Sequence, residues 1–371
     1  MPRLAIAIVL HSNIRSGSNL VCFLLARYLA GQGPAVTVLF QERFFPADID
    51  FFDPAPLFQV GFLDALAARP APFDMVMTTW WECAYQSFPR LPARGYALFR
   101  HGAEKALYDA HGRFFDAVID AVLREDLLVF CVNSALHKEM AAAGRPALLV
   151  RNGVDYARFA AAAPSLPPKS GRLRVVVEGP LDDDSKRVRE ALRAVGTLAE
   201  VEIVHLAARG DSPAGLRVDH SCIAVPYQAV PGILASADLI VKMGSAETWS
   251  LPVLETFAAG GTAIVGAFPG HQDYIAHGEN ALVVALDDWD GLRHALQRLL
   301  DDTPLLARLR AVARATAERL SWEEPFAAVE AAFARVARER APGTVAPTPL
   351  LDRYRACHQA ILNLWLRAGR S

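Results

Sequence analysis

ADLIVKMGSAETWSLPVLETFAAGGTAIVGA, residues Ala237 to Ala267, holds two short apolar runs with a helix signal between them. ADLIVKMG and TAIVGA read as buried strands. Proline is favoured at the first helical position and glycine just past the last. PVLETFAAGG therefore reads as a helix that Pro252 starts and Gly260 or Gly261 stops. Strand, helix and strand make one βαβ unit. Glu247 and Glu255 stand eight positions apart in it. Glu247 falls on the loop leaving the first strand and Glu255 in the first helical turn. In doubly wound sheets ligands bind at that edge, and free N–H groups of a helix start attract anions. The two glutamates thus flank a helix N-terminus suited to a phosphorylated ligand.

The same alternation extends in both directions. Upstream, LRVVVEG and VEIVHLA are strand-like, and downstream ALVVA follows. Residues from about 288 to 340 carry a helical period in LRHALQRLL and LLARLRAVARATAERL. The first half repeats the pattern: RLAIAIVL, the loop NIRSGSN, the helix LVCFLLARYLAGQG and the strand AVTVLF. FDMVMTTW, YALFRHG and LLVFCVNS are further strands, and SALHKEMAAAG is a helix with Ser134 as its cap. AAAAPSLPPKSG has a linker composition. The outline is an α/β domain over 1–165, a second over 166–340, and a linker with a terminal helix over 341–371. The space between two such domains is a natural ligand site.

Composition narrows the function classes. The chain has 371 residues, 53% of them hydrophobic, which suits two domains. A formal net charge of -2 provides no broad basic field for nucleic acid. Five cysteines lie scattered without a C-x-x-C pair, which points to reduced thiols in the cytoplasm and away from a zinc site. The apolar core of the N-terminus is only about seven residues, too short to span a bilayer, and reads as a first strand. Peripheral contact with the inner face of a membrane stays open.

The stretch ETWSLPVLETFAAGG resembles the Glu-x7-Glu signature of glycosyltransferase family 4, retaining enzymes of the GT-B fold. The resemblance continues through TAIVGAFPGHQDYIAHGENALVV and LSWEEPFAAV, and thins in the first half to RSGSN, RHG, VNS and VRNGVDYARF. It implies two Rossmann-like domains facing a cleft, with the terminal helix crossing back to the first. It also implies transfer of a hexose from a nucleotide-diphosphate sugar to a glycan, glycolipid or small-molecule acceptor, without a metal or other cofactor. Glu255 would hold the ribose hydroxyls, since a carboxylate accepts two hydrogen bonds. Glu247 would lie beside the transferred sugar, and His101 would face it. Ser250, Leu251, Pro252 and Val253 would present the helix start to the diphosphate. Lys186 matches the family's phosphate-binding lysine, and Arg187 stands next to it. Gly17 and Ser18, in the loop after the first strand, would contact ligand or acceptor. RHGAEKALYD also resembles the rhamnan-synthesis branch, which implies a deoxythymidine-linked donor.

The sequence departs from the pattern at Pro180, where the family has an arginine, and at Thr248 and Ser250, where it has glycines. These positions favour a rival reading, a non-catalytic nucleotide-sugar or glycan-binding protein that kept the GT-B fold. A second rival, a dinucleotide-dependent oxidoreductase, is opposed by the lack of G-x-G-x-x-G after the first strand.

Overall fold

Runs of valine, isoleucine and leucine form the strands of two all-parallel sheets in the computed structural model, which describes residues 3–42, 58–65, 72–102 and 113–341. The aromatic segment Phe44 to Phe52, the stretch 103–109 and the terminal helix expected after 350 lie outside the described residues. The chain divides into unit 1, Met1–Val150 with Phe326–Ser371, and unit 2, Arg151–Pro325.

Unit 1 runs β1 (Ala5–Leu10), α1 (Gly17–Gly31), β2 (Ala35–Phe40), β3 (Gln59–Phe62), β4 (Phe73–Thr78), α2 (Trp81–Ser87), β5 (Ala93–Arg100), α3 (Arg113–Arg124), β6 (Leu127–Cys131), α4 (Ser134–Ala142) and β7 (Leu148–Leu149). Its strand order is β3-β2-β1-β4-β5-β6-β7. The cap of α4 is Asn133 rather than Ser134: the Asn133 carboxamide accepts from the Leu136 N–H at 2.8 Å.

Unit 2 runs α5 (Tyr156–Ala160), β8 (Leu173–Glu178), α6 (Val188–Val195), β9 (Val201–Ala207), β10 (His220–Ile223), α7 (Val230–Ala235), β11 (Leu239–Lys242), α8 (Leu251–Ala258), β12 (Thr262–Gly266), β13 (Leu282–Val284), α9 (Trp289–Asp301) and α10 (Thr303–Arg319). Its order is β10-β9-β8-β11-β12-β13. The chain builds outward from β8 to β10, then returns to lay β11 along the other side of β8. That reversal opens a crevice beyond the carboxyl ends of β8 and β11, the topological switch point of such sheets. Val175, Val177, Ile203, Val241 and Ile264 pack with Leu192 of α6 and with Leu292, Leu296 and Leu309 of α9 and α10.

Two features differ from the linker reading. The units part at Val150/Arg151, not near 165. Residues 160–171 are bound to unit 2: Ser165 donates its N–H to the Gly232 carbonyl at 3.0 Å, and Lys169 pairs with Asp238 at 2.6 Å. The chain then rejoins unit 1 at Phe326, through α11 (Glu323–Glu339). There Phe326 packs on Tyr28 and Phe333 on Phe130, with ring centroids 5.7 and 5.9 Å apart. Arg94 donates to the Ala337 carbonyl at 3.0 Å.

The α11 contact leaves no room on β5. A Cβ built on Gly95 would stand 2.5 Å from Val336 Cγ1 and 3.0 Å from Met75 Sδ. Valine is stiff at χ1, so Gly95→Ala should destabilise unit 1 by about 1–3 kcal/mol, the usual cost of overpacking. Urea denaturation checks this; an unchanged midpoint would mean that α11 does not pack as described.

Candidate active site

Glu178 and Lys242 end neighbouring parallel strands, one residue past the register pair Val177–Val241. The Lys242 ammonium is buried, with its side chain 3% exposed. Removing water from a lone ammonium costs several kcal/mol, so such a group needs close partners. Three oxygens meet it: the Glu178 carboxylate, the Glu178 carbonyl at 3.4 Å and Glu247 Oε1 at 3.3 Å. Lys186 reaches the same Glu247 Oε1 from the other side at 2.6 Å. The result is a chain of alternating charge, Glu178–Lys242–Glu247–Lys186, buried at its two central members. Burial works against the Glu247 charge, yet the two ammoniums overcome it and hold its pKa down to about 2. Burial likewise opposes the Lys242 charge, but the two carboxylates keep its proton bound beyond the ordinary lysine range.

The backbone is shaped to this cluster. A Cβ on Gly244 would meet Glu247 Cγ at 2.9 Å. The Ser245 N–H donates to the Ser185 carbonyl at 2.8 Å and ties the loops after β8 and β11 together. Gly179 takes a φ of 135°, where a side chain would meet Val188 at 2.9 Å and Lys186 Cβ at 3.3 Å. Asp183 accepts from the Ser185 N–H and closes the turn that carries Lys186.

The start of α8 has no side-chain cap. Leu251 rather than Pro252 is its first residue, which puts Glu255 in the second turn instead of the first. Ser250 occupies the N-cap, where a serine hydroxyl ordinarily accepts from an early amide, but it makes no cap bond. Its Oγ is buried without a partner, as is the neighbouring Trp249 Nε1. Pro252, having no N–H, cannot serve as an amide donor as expected from the sequence; Leu251 and Val253 can. Trp249 is held by stacking on Tyr274 at 4.6 Å, and the Tyr274 hydroxyl donates to the Ser250 carbonyl at 3.1 Å.

Glu255 is buried and accepts a 2.7 Å hydrogen bond from the Tyr227 hydroxyl. The Arg158 guanidinium lies over the Tyr227 ring, 4.6 Å from its centroid. Arg187 takes a left-handed φ of 55° and pairs with Asp287 at 3.1 Å, away from the Lys186–Glu247 pair.

The structure thus brings Lys186 and Glu247 into contact and places Ser250, Leu251 and Val253 at the uncapped start of α8. Gly17, Ser18 and His101 belong to unit 1. Gly17 opens α1, whose cap is Ser16, and Ser16 Oγ bonds Ser18 Oγ at 3.1 Å. His101 follows β5 against the Phe99 ring at 4.2 Å, and burial pushes its pKa down to about 3, leaving a neutral imidazole. The sequence reading missed Lys242, Glu178, Tyr227 and Arg158. A lysine inside the apolar run LIVKM was a legible signal, because a buried lysine requires a counter-charge. Tyr227 and Arg158 carry none, since only folding brings them to Glu255.

Burial raises the Glu255 pKa from 4.5 to about 7; the Tyr227 bond opposes this, Glu178 adds to it and Arg158 opposes it. The folded state therefore holds this proton more tightly than the unfolded state. That contribution is fully present below 4.5 and is lost as pH rises toward 7. Glu255→Gln, neutral throughout, should flatten the decline of ligand-free stability across this window. Denaturation midpoints at a series of pH values read the effect, and equal slopes for both proteins would contradict it.

Residues 218–316 match the sequence profile of the family described as Glycosyl transferases group 1. The chain is 30% identical over 200 residues to a phosphatidyl-myo-inositol mannosyltransferase of Mycolicibacterium smegmatis, a match covering 50% of each chain, so it spans about half the length of that relative. Its fold resembles sucrose-phosphate synthase from Thermosynechococcus elongatus, with a TM-score of 0.73 and 16% identity over 90% of this chain and 99% of the other. It also resembles Anabaena HepE, solved in complex with UDP and glucose, with a TM-score of 0.72 and 13% identity over 90% of this chain and 100% of the other. The similarity to the glycosyl transferases group 1 family thus rests on residues 218–316, and the fold is GT-B.

Proposed function

We propose that the chain is a retaining glycosyltransferase that moves a hexose from a nucleotide-diphosphate sugar to a glycan, glycolipid or small-molecule acceptor. The observation that carries this is the Lys186–Glu247 pair, 2.6 Å apart, beside the uncapped start of α8. A diphosphate needs cations and donors, most of all as it leaves. Lys186, the Leu251 and Val253 amides and the idle Ser250 hydroxyl supply them, so the reading requires no metal. Ser250 thereby offsets part of the donor set lost at Pro180, and Arg187 stays a lesser phosphate contact. Glu255 takes the ribose hydroxyls, displacing the Tyr227 hydroxyl. The ionised Glu247 accepts from sugar hydroxyls and faces the positive charge that develops on the ring.

The bond from the anomeric carbon to the phosphate oxygen breaks, and the acceptor oxygen bonds that carbon on the same face. The departing phosphate oxygen takes the acceptor's proton. His101, neutral, hydrogen-bonds the sugar, while Gly17 and Ser18 contact ligand or acceptor. HepE, crystallised with UDP and glucose, supports a uridine diphosphate sugar as the first donor to test. The reading places the enzyme in the cytoplasm, with peripheral contact at the inner membrane face for a lipid-linked acceptor. Among the described residues no helix is long and apolar enough to cross a membrane. The rival, a non-catalytic binding protein of the same fold, draws support from Pro180 and from the buried Thr248 and Ser250.

Thermal-shift screening against uridine, guanosine, adenosine and thymidine diphosphates identifies the base. A ligand at about a hundred times its Kd adds about 2.7 kcal/mol of apparent stability. Glu255→Ala should weaken diphosphate binding by roughly 1–3 kcal/mol, as expected where buried polar partners are left unpaired. Glu247→Ala should keep that affinity and lose acceptor-independent hydrolysis of the sugar nucleotide. Calorimetry and hydrolysis rates measure the two. Binding without any turnover in the wild-type protein would establish the non-catalytic rival.

A further inference from the structure

The two lysines at Glu247 are not equivalent. An ammonium has three N–H donors. Lys242 has three oxygens within reach, two on Glu178 and one on Glu247, and its side chain is 3% exposed. It has neither a spare donor nor a path outward. Lys186 makes a 2.6 Å bond to Glu247, and its side chain is 29% exposed at the mouth of the same crevice. An arriving phosphate competes with Glu247 for Lys186 alone.

The geometry points to Lys242 as a positioning residue: it keeps Glu247 charged and in place while Lys186 is drawn onto the ligand's phosphate. This rests on the reading of Lys186 as the phosphate contact. Without Lys242, a diphosphate that took Lys186 would leave a buried, unpaired carboxylate, and such a group takes up a proton. The catalytic carboxylate would be neutralised by the event that brings the sugar to it. The other groups around Glu247 do not replace Lys242. Glu178 repels it, and Tyr274, whose hydroxyl is engaged by the Ser250 carbonyl, is neutral because burial raises its pKa. Glu178 serves the device indirectly, by holding Lys242 from the strand beside it.

The test follows the Glu247 carboxyl in protein carrying 13C-labelled glutamate, with its signal assigned by its loss in Glu247→Gln. In ligand-free Lys186→Met the Glu247 pKa should stay below the ordinary 4.5, because Lys242 suffices. In Lys242→Met, saturating pyrophosphate should carry it above that value, while the wild-type protein with pyrophosphate stays below. The acid limb of donor hydrolysis should move to higher pH in Lys242→Met, a change that loose packing alone would not produce. A Glu247 pKa above 4.5 in Lys186→Met, or one unmoved in Lys242→Met with pyrophosphate, overturns the assignment. Should Lys242→Met fail to fold, Lys186→Met decides alone. Failure of pyrophosphate to bind the wild-type protein would remove the phosphate role of Lys186, and the ligand-free titration would still decide that of Lys242.

Discussion

Glu247 is a carboxylate taken out of water, and the crevice of unit 2 is organised around keeping it charged. Burial of an ion is tolerable only when opposite charges replace the lost hydration. Here β8 and β11 each end in a charged residue, and the turn carrying Lys186 is tied by Ser245 and Ser185 to the loop carrying Glu247. Gly244 and Gly179 are small because a carboxylate and a lysine stem lie against their backbones. Lys242 joins both carboxylates, so Glu178, Lys242 and Glu247 depend on one another, while Lys186 adds a second positive charge to Glu247.

Next to this satisfied cluster the protein leaves other polar groups unsatisfied. Ser250 and Trp249 are buried with an idle hydroxyl and an idle indole N–H, and α8 starts without a side-chain cap. Each is a small loss of stability, and under the proposed function a bound diphosphate would offset it. Tyr274 bears the cost of rigidity there, fixing Trp249 by stacking and Ser250 by its hydroxyl. A preformed set of donors spends little on reorganisation when charge develops on a leaving group.

Much of this was legible in short stretches. The apolar runs of β1, β2, β4, β8, β9, β11 and β12 were evident because buried parallel strands are continuous in valine, isoleucine and leucine. β3 (QVGF) and β10 (HSCI) were not, being short edge strands without such a run. The Ala/Pro/Ser stretch after Phe159 had the composition of a linker but is fastened to unit 2 by Ser236 and Asp238, distant in sequence. Glu247, Glu255 and Lys186 could be chosen in advance from motif and position. That Lys186 bonds Glu247, and that Arg187 turns to Asp287, could not, because a backbone angle of Arg187 separates the two adjacent side chains.

The sequence alone determined the alternation of strand and helix and the helix start between the two glutamates. These follow from local periodicity and from proline and glycine chemistry, which act over a few residues. Only the tertiary structure decided the charge state of the site. Lys242 joins Glu178 and Glu247, and Tyr227 reaches Glu255, because parallel strands and their loops bring together residues far apart in the chain. Ionisation depends on burial and on charges a few ångströms away, and neither distance nor burial is written in the order of the residues.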